Sequence, residues 1–331
     1  MKTAVIGSGT WGMALARLLF DNGHEVKVWS AIESELEELR EKRTHKNLSG
    51  IVFDEGIVFE GDLEKAMENA DICVLSVPSI FTRATAKKMA PFYKENQIIV
   101  NVAKGIEEST LEILTEQILD EIKNANVAVL SGPSHAEEVV RLLPTTCVAG
   151  AKDMETAKLI QSTFMSPVFR VYTSTDMLGI ELGGSLKNVI ALAAGISDGL
   201  GYGDNAKAAL ITRGIVEISR LGTAMGANIE TFYGLSGIGD LIVTCASKHS
   251  RNRKAGMLMG QGMSMDEAMK EVAMVVEGVY SAKAAKALAN KYNICMPIVD
   301  EVNAVLFENK DPKQAVDALM LRDKAVEKIG I

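Results

Sequence analysis

The chain divides by the period of its apolar residues. Up to about residue 172, short runs rich in Val and Ile alternate with longer amphipathic stretches, as expected for parallel strands joined by helices. Runs at 3–6, 25–29, 71–77, 97–101, 127–131, 146–150 and 169–172 predict strands, with a weaker one at 57–59. Asp62 ahead of 63–69 and Asp153 ahead of 155–164 mark helix starts, because a short carboxylate can cap free backbone N–H groups. Beyond residue 176 the Val-rich runs stop, and helical spacing fills 178–197, 208–222 and 266–292. The expectation is an α/β N-terminal domain with a doubly wound, mainly parallel sheet, residues 1–178, followed by an all-α domain, residues 179–331. No Pro/Gly/Ser-rich linker occupies 173–180, so two closely packed domains around a cleft are expected.

Composition narrows the function. With 331 residues and 47% hydrophobic content, the chain can bury two substantial cores. A net charge of -8 argues against nucleic acid or an anionic membrane as partner, since both reward a basic surface. A small anionic substrate would then need a local basic cluster. Cys73, Cys147, Cys245 and Cys295 are scattered without a C-x-x-C pair, so neither a metal site nor a disulfide framework is expected. They read as free thiols in a reducing compartment. Met1-Lys2-Thr3 leads straight into Ala4-Val5-Ile6, which leaves no room for a charged leader, and no run of eighteen apolar residues goes uninterrupted. A cytoplasmic protein without a membrane span is expected.

Gly7-Ser8-Gly9-Thr10-Trp11-Gly12 matches G-x-G-x-x-G between a predicted strand and an apolar helical run. In that context Gly7 serves the tight turn, Gly9 lets backbone approach a pyrophosphate, and Gly12 permits close helix–sheet packing. The motif alone is weak; an ordinary glycine-rich turn is the plainer alternative. An acid that would select NAD normally ends the second strand, but Trp29-Ser30-Ala31-Ile32 stands there. Glu33 reads as a surface charge, while Arg40, Lys42 and Arg43 are available for a 2′-phosphate or for a solvated helix face. The balance leans toward NADP or dual use.

Other candidates lie where apolar elements end. Val77-Pro78-Ser79, Asn101-Val102-Ala103-Lys104-Gly105 and Gly132-Pro133-Ser134-His135-Ala136 each close a predicted strand, where ligands of open α/β sheets gather. Lys104 could meet cofactor or substrate phosphate, or be a plain surface lysine. Lys187 sits inside the apolar run around Leu186 and Val189-Ile190; desolvation there would lower its pKa toward the range useful for proton transfer. A lysine snorkelling from a helix edge is the alternative. Asp240, in the turn Gly237-Ile238-Gly239-Asp240, could orient an ammonium, and Ser250-Arg251-Asn252-Arg253 could grip a phosphate through a planar guanidinium. That run also reads as a solvated basic loop. His135 and His249 adjoin candidate loops, but a histidine beside a strand end is more often a packed residue than a proton carrier.

Together, Gly7 to Gly12, Val102-Ala103-Lys104-Gly105, Gly132 to Glu138, Leu186-Lys187-Asn188, Gly237 to Leu241 and Ser250 to Arg253 resemble the bacterial NAD(P)-dependent glycerol-3-phosphate dehydrogenases across nearly the whole chain. The resemblance implies a Rossmann domain followed by a helical domain, with the active site between them. It makes Lys187 the proton acceptor in alcohol oxidation, with Lys104, Asn188, Asp240 and Thr244 lining the same site. It assigns glycerol 3-phosphate to Lys104, Gly132, Ser134, Lys187, Asp240, Ser250, Arg251 and Asn252. Gly7, Gly9, Thr10, Trp11, Gly12, Lys104, Ala136, Arg251, Val275 and Glu277 become the cofactor contacts, for NAD or NADP. Many relatives carry a polar or basic pair where this chain has Ser30-Ala31. The family runs toward reduction of dihydroxyacetone phosphate, supplying glycerol 3-phosphate for phospholipid synthesis; a homodimer is a further expectation. Two alternatives stand beside it: a β-hydroxyacid or sugar-acid dehydrogenase of similar architecture, and a non-catalytic nucleotide sensor. A buried acid/base pair at Lys187 and Asp240 would be of no use to a sensor.

Overall fold

The computed structural model describes residues 1–324, 326 and 327. Two compact units emerge: Met1–Ala103 with Leu114–Met177, and Lys104–Ile113 with Leu178–Ile331. The expected boundary at 178/179 misses the excursion 104–113, which leaves the sheet unit and joins the helical one. Ile106 and Ile113, bridged to each other, enter the apolar core of the helical unit, and the buried Ser185 hydroxyl donates to the Gly105 carbonyl at 3.0 Å. Residues 325 and 328–331 of the expected second domain lie outside the described residues.

The first unit holds one eight-stranded sheet: β1 Lys2–Ile6, β2 Glu25–Trp29, β3 Val58–Glu60, β4 Ile72–Leu75, β5 Ile98–Asn101, β6 Asn126–Ser131, β7 Thr145–Ala151 and β8 Phe169–Ser174. Every run read as a strand is present, including the weak one. Strand order is β3-β2-β1-β4-β5-β6-β7-β8, parallel throughout except between β6 and β7. The β6–β7 connection carries only the short helix Ala136–Val139, so the chain returns beside β6 instead of crossing over. Alternate residues feed opposite faces: Val5, Val28, Val74 and Val100 enter one core, and Ala4, Ile6, Cys73, Leu75 and Ile99 the other. Both faces are covered, which is why these strands read as unbroken apolar runs. Each fully buried Val contributes about 1.5–3 kcal/mol relative to exposure. Asp62 and Asp153 cap their helices as expected, accepting from the backbone N–H groups of Glu64 and Lys65, and of Thr156. The strand order reverses between β1 and β4, so the crevice at their carboxyl ends is the topological switch of this sheet.

In the second unit, helix Met177–Gly199 is buried from Gly179 to Ser197. Its 18-residue apolar window has the length and mean hydropathy, 1.3, of a membrane span, but 89% of that window is buried inside the protein, which makes it a core helix. Helices Asp204–Ala224, Arg251–Gly260 and Glu277–Lys291 share its apolar core. A Cβ on Gly195 would overlap the Arg253 carbonyl oxygen, so helices 177–199 and 251–260 cross backbone against backbone. The stretch 266–292, expected as continuous helix, is broken into Met265–Val272 and Glu277–Lys291. Ala273 terminates the first piece in the left-handed conformation, φ 55°, its N–H donating to the Met269 carbonyl.

Candidate active site

The first unit carries a glycine loop at the end of β1. Gly7 adopts φ 122°, and a Cβ there would come within 2.7 Å of the Ser76 carbonyl oxygen at the end of neighbouring β4. A Cβ on Gly12 would overlap the Gly7 carbonyl, so the loop can close on helix Thr10–Asp21 only with glycine at both places. Gly9 differs: a Cβ there would project into open space. It is also the N-cap, with no side chain capping the helix, and the first turn carries no acid. Free N–H groups and the helix dipole therefore face an open cradle, which fits the pyrophosphate of a dinucleotide. The Thr10 hydroxyl accepts from the Asn47 amide at 3.2 Å, and half-buried Trp11 packs on the sheet core. Farther along the sheet, Gly132 (φ 146°) follows β6, and the Ser134 hydroxyl donates to the Gly132 carbonyl at 2.9 Å. Ala136 is buried as the first residue of its short helix.

The second unit holds a cluster of charged side chains around a buried carboxylate. Lys187 comes from the core helix, and Asp240 opens helix Asp240–Ala246 directly after the π-helical turn Leu235–Gly239. A side chain on Gly183 would overlap the Ser236 carbonyl, so glycine lets that turn close on the core helix and deliver Asp240 beside Lys187. The Lys187 ammonium donates to Asp240 Oδ1 and, at 2.7 Å, to the Thr244 hydroxyl. Thr244 in turn donates to the Asp240 carbonyl at 2.6 Å. Lys104, at the start of the excursion, donates to Asp240 Oδ2 at 2.6 Å. One carboxylate, 1% exposed, thus holds two amines. Burial pulls the Lys187 pKa down to about 7, against the Asp240 charge that raises it, while Lys104 lowers it further. Burial opposes the Asp240 carboxylate, but Lys104 and Lys187 outweigh it and hold its pKa below the ordinary value. The result is an amine that holds or yields a proton near neutral pH, oriented by a fixed anion.

Asn188 belongs to a second network and not to the amine cluster. Its Oδ1 accepts from the Asn252 amide at 2.9 Å, and Asn252 Oδ1 accepts from the Gly278 N–H at 2.8 Å. This link joins the core helix, helix Arg251–Gly260 and the start of helix Glu277–Lys291, with Val275 in the break ahead of that helix and Glu277 its first residue. Ser250 caps its helix by accepting from the Arg253 N–H at 3.2 Å, and Arg251 is exposed at the first helical position. Arg253 instead pairs with Asp198 at 2.6 Å, which also holds Lys207 at 2.9 Å.

A sequence model described as the N-terminus of NAD-dependent glycerol-3-phosphate dehydrogenase matches residues 2–157, and one for the C-terminus matches 176–317. The chain belongs to the NAD-dependent glycerol-3-phosphate dehydrogenase family. It is 64% identical over 327 residues to a glycerol-3-phosphate dehydrogenase (NAD(P)+) of Agathobacter rectalis, covering 98% of this chain and 97% of that one. A protein of the same name from Fusobacterium nucleatum is 59% identical over 330 residues, covering 99% and 98%. The crystal structure of glycerol-3-phosphate dehydrogenase from Coxiella burnetii superimposes with a TM-score of 0.94 at 37% identity, covering 97% of this chain and 99% of that one. This family member is an oxidoreductase that uses NAD or NADP.

Reading the sequence of this dehydrogenase by motif missed two groups. Ser185 ties the Lys104 segment to the core helix, and its only signal in the sequence is its place two residues from Lys187. Glu35 accepts a hydrogen bond from Ser8 inside the glycine loop, at 3.2 Å; its only signal was a place about twenty residues past that loop.

Proposed function

We propose that this chain interconverts sn-glycerol 3-phosphate and dihydroxyacetone phosphate, working mainly toward glycerol 3-phosphate for phospholipid synthesis. The observation that carries the reading is the buried Lys187–Asp240–Lys104 cluster. When bound, the nicotinamide supplies hydride chemistry. Lys187 holds a proton at Nζ and passes it to the substrate oxygen as the ketone becomes an alcohol; in the reverse direction it takes that proton back. Asp240 fixes the amine and stays ionised, and Thr244 directs the same nitrogen. Lys104 steadies charge on the substrate, while Asn188, linked to Asn252, braces the helix that carries Lys187. Arg251, with Ser250 and Asn252 beside it, grips the phosphate as a bidentate fork, and Gly132 and Ser134 complete the substrate assignment. Gly7, Gly9, Thr10, Trp11, Gly12, Ala136, Val275 and Glu277, together with Lys104 and Arg251, are assigned to the nucleotide.

A net charge of -8 and four cysteines without pairing spacing support a cytoplasmic enzyme, and a homodimer is proposed with it. A substrate panel tests the reading: dihydroxyacetone phosphate against β-keto acids and oxidised sugar acids, each with NADH and NADPH. Oxidation of the reduced nucleotide by dihydroxyacetone phosphate alone supports it. Activity confined to the acids would move the assignment to a hydroxyacid dehydrogenase, and binding without any turnover would leave a sensor.

A further inference from the structure

We propose that Glu35 selects the nucleotide of this enzyme and that it favours NADH over NADPH; the proposal rests on reading the glycine loop as the dinucleotide site. Strand β2 ends at Trp29 and is followed by Ser30-Ala31, so no acid stands at its tip. Helix Glu33–Lys42 then turns back, and its Glu35 accepts from the hydroxyl of Ser8, between Gly7 and Gly9, at 3.2 Å. A carboxylate about twenty residues past the glycines, at the mouth of the loop, occupies the place from which an acid accepts the ribose 2′-hydroxyl. Here it is delivered from a helix instead of a strand end. Ser8 and Lys46, the latter at 3.5 Å, use part of its hydrogen-bonding capacity; with its side chain 35% exposed, the rest faces outward.

A 2′-phosphate in that place would set a charge of about -1.5 to -2 beside the carboxylate. It would also find its candidate partners engaged. Arg40 pairs with Glu33 at 2.6 Å and donates to the Phe59 carbonyl. Lys42 pairs with Glu38 at 3.1 Å. Arg43 donates to the Asp54 and Ile57 carbonyls and lies over the Phe59 ring at 4.6 Å. Lys46 is held by Glu35 itself. The sequence leaned toward NADP or dual use, with Arg40, Lys42 and Arg43 near the strand end; in the fold each of these three has its own anion, carbonyl or ring.

Equilibrium binding of NADH and of NADPH, followed by isothermal titration with no substrate present, tests this on the wild type, Glu35→Gln, Glu35→Arg and Lys46→Ala. The wild type should bind NADH at least about tenfold more tightly, a modest figure for like charges at a partly solvated site. Glu35→Gln, which keeps a partner for Ser8, should close most of that gap through tighter NADPH binding, and Glu35→Arg should reverse it. Equal binding by the wild type, an unchanged ratio in Glu35→Gln, or a selective loss of NADPH binding in Lys46→Ala would each overturn the proposal. Binding of neither nucleotide would overturn the glycine-loop reading and this proposal with it, a result distinct from equal binding of both.

Discussion

Replacing Asp240 with asparagine preserves the side chain's shape and removes the charge that two amines share. Lys187 is 5% exposed, and its pKa of about 7 already contains the upward pull of that carboxylate. Without it, only downward influences remain: burial and the Lys104 charge. An ion pair at hydrogen-bond distance is worth several kcal/mol at an effective dielectric of about 20. Allowing for relaxation, a drop of about one to two pKa units is expected, each unit costing about 1.4 kcal/mol and tenfold in ammonium above the pKa. In the proposed mechanism reduction needs the ammonium, so wild-type kcat with dihydroxyacetone phosphate should fall as pH rises through about 7. In Asp240→Asn this limb should move down by about one to two units, leaving about fivefold to fiftyfold less activity at neutral pH. Stability has its own signature. Lowering the folded pKa of Lys187 further below its unfolded 10.5 widens the range over which the unfolded chain binds more protons than the folded one, so the variant should gain stability on the wild type as pH rises from about 5 to about 7. Below that window the unpaired buried charge should cost about 3–5 kcal/mol. Superimposable pH–rate profiles for the two proteins would refute the argument.

Other consequences are independent of this cluster. Glu217, 5% exposed, accepts from the Ile298 and Val299 N–H groups, and burial pushes its pKa from 4.5 to about 7. The folded state therefore binds the extra proton, and about 3 kcal/mol should be lost as pH rises from 4.5 through 7; Glu217→Gln should flatten the Tm-against-pH curve there. Gly195→Ala should force helices 177–199 and 251–260 apart, costing about 1–3 kcal/mol in urea unfolding. Arg251→Ala should raise the KM for dihydroxyacetone phosphate about a hundredfold, as expected for two charge-assisted hydrogen bonds, with a much smaller effect on kcat.

The sheet was legible because β4 and β5 are buried at every position, and a strand covered on both faces must read as an apolar run. Lys187 was legible for the complementary reason: a charge inside such a run stands out. What the sequence could not show depends on tertiary partners. The excursion 104–113 hangs on a serine 80 residues away. The break at Ala273 needs a left-handed residue that carries no glycine to announce it. Asn188 and Lys187 are neighbours in sequence, yet one bonds to Asn252 and the other to Asp240. Charges near a strand end looked available for a phosphate until Arg40 and Arg43 were seen with partners of their own.

The most direct test of the central claim is the turnover of Lys187→Ala, measured by nicotinamide absorbance with dihydroxyacetone phosphate, in protein shown by titration to bind the nucleotide as the wild type does. The account predicts rapid oxidation by the wild type and loss of about 10²–10⁴-fold in the variant, the usual worth of a proton donor in place. Near-normal turnover in the variant would contradict it.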